Sequence, residues 1–204
     1  MISLRELFGI FTGRESIDSL LSKKLALRQA VVSYALVFLV VSILIGFEAF
    51  LYRLGSGILA GQEAVSLLID LVILLAVMAF AIPMGLILSL FFSYVWGALH
   101  FFIANFYSKS YDINNFNSYA LPVFASVQLV EGLVFLIPVI GWLAVPVIRL
   151  YGSVLLFKTV RQYFSLSDAQ AAIVVLIPLN LAMLAVLLLA FLAGTIIVGP
   201  QFLA

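Results

Sequence analysis

AQAAIVVLIPLNLAMLAVLLLAFLAGTIIVGPQFLA, residues 169–204, contains no Lys, Arg, Asp, Glu or His. A helix of about 20 apolar residues already crosses the hydrocarbon core of a bilayer. These 36 residues leave a water-soluble fold no solvated face, so the chain reads as an integral membrane protein. The rest of the sequence agrees: 66% of its 204 residues are hydrophobic and only 9% are charged, far from the usual globular balance.

Composition also excludes several chemistries. A net charge of +1 provides no basic surface for nucleic acid. With no cysteine there is no disulfide, thiol nucleophile or Cys-ligated metal, and one histidine, His100, cannot build a histidine-rich metal site. No HExxH, phosphate-binding glycine loop, paired carboxylate or Ser–His–Asp set is present. The expectation is a chain that is not an enzyme and needs no cofactor.

Working back from the tail, four more apolar blocks precede it, giving spans at about 30–52, 66–107, 119–137, 142–161 and 169–198. Arg53 and the glycine-rich stretch 54–63 close the first. The second has 42 residues, roughly 63 Å as one helix, about twice the hydrocarbon thickness. It is either one long helix kinked at Pro83 or two spans broken there. Pro138, Gly141 and Pro146 mark a tight turn that makes the third and fourth blocks an antiparallel hairpin. The polar loops fall at 108–118 and 158–168.

Charge placement decides the count. With five spans, Lys23, Lys24, Arg28, Lys109, Lys158 and Arg161 share one side and only Arg53 lies opposite, as the positive-inside rule requires. That puts the N-terminus in the cytoplasm and the C-terminus outside. The fold class expected is therefore all-α and polytopic, with five transmembrane helices and a long kinked second helix. Residues 1–29 do not read as a cleavable signal, because the first long apolar run starts only near Ala30. Phe8, Ile10, Phe11, Ile17, Leu20, Leu21 and Leu25 alternate there with charges. They predict either an N-terminal amphipathic segment on the membrane surface or a plain juxtamembrane flank.

Polar groups inside lipid are costly, so each is a functional candidate. Glu131 lies roughly 18 Å from the cytoplasmic end of the third span, and Arg149 roughly 10 Å from the outer end of the fourth. In a core of about 30 Å the two depths nearly coincide on neighbouring helices. The spacing predicts an ion pair locking the hairpin. The competing roles are a charge on a solute or proton path, and an arginine snorkelling to headgroups. His100, on the inner half of the second helix, is expected to bond a nearby backbone group or, alternatively, to carry protons. Asn180 is expected to bridge helices. Glu48, Arg53 and Asp70 form a polar rim at the outer end of the first two helices. Gly85, Ser89, Ser93 and Gly97 recur every four residues, a stripe suited to close helix packing within the chain or to homo-oligomerisation. Ala190 and Gly194 are a weaker example on the last helix.

Three local features resemble the Yip domain family, five-span proteins known in eukaryotes for interacting with Ypt/Rab GTPases. His100 sits near the cytoplasmic end of the long second helix, as in a small-residue, leucine and histidine pattern of prokaryotic members. Tyr119-Ala-Leu-Pro122 opens the third span like the family's tyrosine-to-proline entry. The stretch from Tyr163 to Ala171 resembles its loop before the last span, although Asp168 and Gln170 stand where basic residues are common. Ser108 to Tyr111 replaces a customary glycine pair. The likeness covers roughly residues 25–195. It implies a prokaryotic-type member in the cell membrane, acting as a non-enzymatic scaffold or adaptor in membrane organisation, with lipids and proteins at the cytoplasmic loops as partners. The competing reading is a small transporter, channel or lipid-translocating protein using Glu131, Arg149 and His100.

Overall fold

The computed structural model describes the backbone of residues 2–108, 112–137 and 139–202, and side chains as far as Ala190 apart from Val186. Among the described residues the chain is all helical. The elements are α1 (Leu4–Thr12), α2 (Ile17–Ser22), α3 (Leu27–Leu59), α4 (Ala64–Ala104), α5 (Ile113–Phe135), α6 (Ile140–Phe164) and α7 (Asp168–Phe202). Five of them, α3 to α7, are long and apolar enough to cross a membrane. Lys109, Ser110, Tyr111 and Pro138, together with the surroundings of Gly194, lie outside the described residues.

The second apolar block is one uninterrupted helix. Pro83 sits inside α4 without ending it, as membrane helices tolerate. Helices α3 and α4 pair antiparallel along their length. Tyr34 meets Ser89 and Ser93, Phe38 meets Gly85, Met78 covers Gly46 and Leu67 covers Gly57. Near the far end of the pair Arg53 bonds Asp70, so that part of the expected polar rim joins the two helices.

α5 is the axis of the bundle, packed by α1, α3, α4 and α6. Every residue from Phe116 to Val123 is buried. It also starts earlier than its apolar pattern suggests. Residues 113–118, expected in a polar loop, form the first turns of the helix, and Asp112 caps them by accepting from the Asn114 amide at 3.0 Å. Asn117 and Ser118 are fully buried; Gly97 on α4 leaves room for the Asn117 side chain, and Ser118 Oγ donates to the Asn115 carbonyl at 2.6 Å. The loop expected at 158–168 shortens likewise. α6 runs on to Phe164, Ser165 turns the chain in the left-handed region, and Ser167 and Gln170 cap α7 reciprocally.

The N-terminal segment is amphipathic, and its apolar face is turned into the protein. Ser3 and Glu6 form a capping box that starts α1, and Gly13 at φ 74° ends it. Leu7, Ile10, Ile17 and Leu20 are buried in the same cluster as Tyr119, Leu121 and Leu155. α1 reaches from α3, where the Ile2 amide donates to Ser33 Oγ at 3.1 Å, to α6, where Phe11 meets Tyr151 edge-on at 5.0 Å. Each fully buried aliphatic side chain contributes roughly 2 kcal/mol, which makes this layer part of the bundle rather than a free flank.

Burial is concentrated at one end, the base, formed by α1, α2, the start of α5 and the α6–α7 turn. There Phe101, Phe116 and Phe164 stack within a second apolar cluster. At the other end the helices differ in reach. The α5–α6 turn stands level with about Ile45 to Glu48, since Gly132 abuts Val41. The α3–α4 pair continues beyond it for roughly 17 Å at 1.5 Å per residue.

Candidate functional site

The α5–α6 hairpin is tight because two glycines admit close approach. A side chain at Gly141 would meet the Phe135 Cα at 2.8 Å, and one at Gly152 would meet Val127 at 2.7 Å. On the seam so formed, Arg149 Nε donates to Glu131 Oε1 at 2.8 Å. The pair is asymmetric: the Glu131 side chain is 19% exposed and that of Arg149 is 72% exposed. Glu131 is thus held inside the seam while the guanidinium reaches outward.

Two clefts flank this pair. The larger, about 500 Å³, opens between α4, α5 and α6, with Trp96, Gln128, Glu131, Arg149 and Ser153 among its walls. The smaller, about 270 Å³, lies on the α3 side and is bounded by Val41, Ile45, Gln128, Glu131, Val145 and Arg149. Gln128, Glu131 and Arg149 therefore face both. The back of the larger cleft holds a hydroxyl chain: Ser93 Oγ donates to Tyr34 Oη at 2.8 Å, and Tyr34 Oη and Ser89 Oγ are hydrogen-bonded at 2.6 Å.

That chain accounts for the small-residue stripe. Gly85 receives the Phe38 ring, Ser89 and Ser93 bond Tyr34, and Gly97 receives Asn117. All four residues are engaged within the chain, against α3 and α5. His100 lies one turn beyond, 1% exposed. Its Nδ1 hydrogen-bonds the Trp96 carbonyl at 2.7 Å, with the indole edge-on at 5.4 Å. Its Nε2 and both polar atoms of Asn117 find no hydrogen-bond partner among the described residues. His100 is therefore buried and lines neither of the two clefts beside the Glu131–Arg149 seam.

Asn180 corrects an expectation. It does not bridge helices: its Nδ2 donates to the Leu176 carbonyl of its own helix at 2.8 Å, and the side chain is exposed. The reason is that α7 packs on α4 and α6 near the base, while most of the described side chains from Asn180 to Ala190 are exposed.

Three residues of the site had no place in the sequence reading. Tyr34 is one aromatic among many. Gln128 lies one helical turn before Glu131, and that spacing on a common face was the available signal. Asn117 is hidden in a run of polar residues. Arg161 and Asp168 form an exposed pair across the α6–α7 turn. Among the described residues no group of three His, Asp or Glu side chains is placed to hold a metal ion. Comparison of the chain with protein-family models, curated proteins and solved structures finds no match.

Proposed function

We propose that this chain is a non-enzymatic integral membrane protein of the Yip domain type, a scaffold that organises lipid around its spans and partners at its cytoplasmic base. The observation that carries the reading is the pairing of the charges between the helices. Glu131 and Arg149 neutralise each other across a single seam, as suits a bundle built to hold one shape. The residues behind the resemblance also have structural work at the base. Tyr119 to Pro122 are buried in the α5 axis, and Leu166 and Ala171 close the cluster at the α6–α7 turn.

The base is the cytoplasmic side in this reading. Lys23, Lys24, Arg28, Lys158 and Arg161 all lie on elements that meet there, with Arg53 at the opposite end, in keeping with the positive-inside rule. Arg5, Arg14, Lys24 and Arg28 are exposed, the arrangement that attracts anionic headgroups of an inner leaflet. A prokaryotic cell membrane is the setting the resemblance implies.

A second reading, a small transporter or lipid-translocating protein, is favoured by one observation: the two clefts that meet at Glu131 and Arg149. Reconstitution into sealed liposomes separates the two. A scaffold leaves the vesicles tight to protons, small solutes and labelled lipids. Flux that Glu131→Gln abolishes would replace the scaffold with a transporter.

A further inference from the structure

The walls of the larger cleft are chemically specific. Arg149 uses only its Nε on Glu131, so both terminal nitrogens of the guanidinium are unengaged among the described residues, on a side chain 72% exposed. Glu131 accepts through Oε1 alone, leaving Oε2. Beside it, Gln128 Oε1 has no hydrogen-bond partner among the described residues. One cationic donor fork and a set of unused acceptors thus stand next to each other, within a few ångströms.

We infer that this cleft receives the headgroup of a membrane phospholipid carrying a primary ammonium, with the phosphate on the Arg149 guanidinium and the ammonium on Glu131 and Gln128. Three considerations select that class. A planar guanidinium is suited to phosphate oxygens. The protein pair is neutral overall, so a zwitterion adds no net charge to a site within the spans, where an uncompensated charge is costly. Finally, carboxylate and amide oxygens require N–H donors, which a primary ammonium has and a quaternary choline lacks. A purely anionic headgroup would leave the neutral Glu131–Arg149 site with a net negative charge.

The size and setting agree. About 500 Å³ lies within the usual range for small-ligand sites, and the cleft opens sideways between spans. Phe92 and Val95, both exposed and both lining the cleft, offer apolar surface for acyl chains. The inference deepens the scaffold reading by naming the lipid it would hold, and it can fail without that reading.

The test uses purified full-length protein in detergent, with the fluorescence of Trp96, a wall of the cleft, as readout. Phosphatidylethanolamine and phosphatidylcholine of identical acyl chains are titrated. The expected preference for the ethanolamine lipid is about tenfold, the factor one charge-assisted hydrogen bond supplies. Glu131→Gln should collapse that preference, Arg149→Gln should weaken both lipids alike, and Asp70→Asn at the far end should change neither. Equal affinity for the two lipids in the unaltered protein overturns the inference, whatever the variants do. So does a Glu131→Gln protein that keeps the full preference, since the pair is then a structural lock only. Soluble glycerophosphoethanolamine competing as well as the lipid would overturn the membrane as the source. Lipid selectivity with leaky liposomes would keep the headgroup site and lose the scaffold; tight liposomes without selectivity would do the reverse.

Discussion

Removing one charge of the Glu131–Arg149 pair should cost more than removing both. An arginine at the centre of a membrane helix costs about 3 kcal/mol to insert. Arg149 is 72% exposed, so a side chain freed by Glu131→Gln recovers part of that by reaching toward the interface. The expected loss is about 1–2 kcal/mol. Glu131 is only 19% exposed and has a shorter reach, so Arg149→Gln should cost more, about 2–3 kcal/mol. In the double variant two amides can hydrogen-bond across the same seam, and the loss should fall to about 1 kcal/mol. The resulting coupling is about 2–4 kcal/mol, well beyond the 0.5 kcal/mol or so within which independent sites add. The assay is denaturant unfolding in lipid bicelles, followed by the two tryptophans, Trp96 and Trp142. Strictly additive losses would refute the pairing and the role assigned to the seam.

Gly97→Ala should destabilise the bundle by about 1–3 kcal/mol, because the new methyl would clash with Asn117 Oδ1; Asn117→Ala in the same chain should restore most of it, as thermal unfolding of the two variants would show. At the hairpin tip Gly141→Ala should cost a comparable amount, since the obstacle is the Phe135 backbone at 2.8 Å rather than a side chain that can move; an unchanged midpoint would rule out the tight turn. The Lys23 ammonium and then the Ser3 amide hold the Glu6 carboxyl down at about 2 from its ordinary 4.5. A depressed carboxyl stabilises the folded form fully above pH 4.5 and loses that contribution as the pH falls toward 2. With both side chains about a third exposed, the effect is below about 1 kcal/mol. It should appear as faster hydrogen exchange in α1 at low pH, and Glu6→Gln should remove the pH dependence.

The spans were legible because charged and turn-forming residues punctuate the apolar runs. The polar stretch after Tyr107 and the break between Phe135 and Ile140 each mark a real connection, whereas Arg53, Gly55 and Gly57, expected to close the first span, lie inside α3, which runs on to Leu59. The depths of Glu131 and Arg149 were legible for a related reason: two antiparallel helices joined by a short turn have a register that can be counted. Segment ends were less so. The polarity of Asn114, Asn115, Asn117 and Ser118 reads as a solvated loop, yet two of them are buried, Asn117 against a glycine on another helix and Ser118 with its hydroxyl on the Asn115 carbonyl. Lys158 and Arg161 also read as loop, although Leu155, Leu156, Thr159 and Val160 bury the opposite face of the same turns. The N-terminal periodicity showed an amphipathic helix without showing what its apolar face covers, because a bilayer and a protein groove demand the same side chains. Gln128 was legible only through its spacing from Glu131, and Tyr34 became a site residue only through tertiary placement, which no local pattern carries.

The absence of cysteine allows the central claim to be tested with one introduced thiol. Ser153→Cys places it in the wall of the larger cleft, and a charged, membrane-impermeant maleimide can be offered from either side of sealed vesicles. A closed scaffold, with a lateral cleft and no path across the membrane, predicts labelling from one aqueous side at most. Comparable labelling from both sides would mean that the cleft is part of a continuous conduit, and would contradict the account.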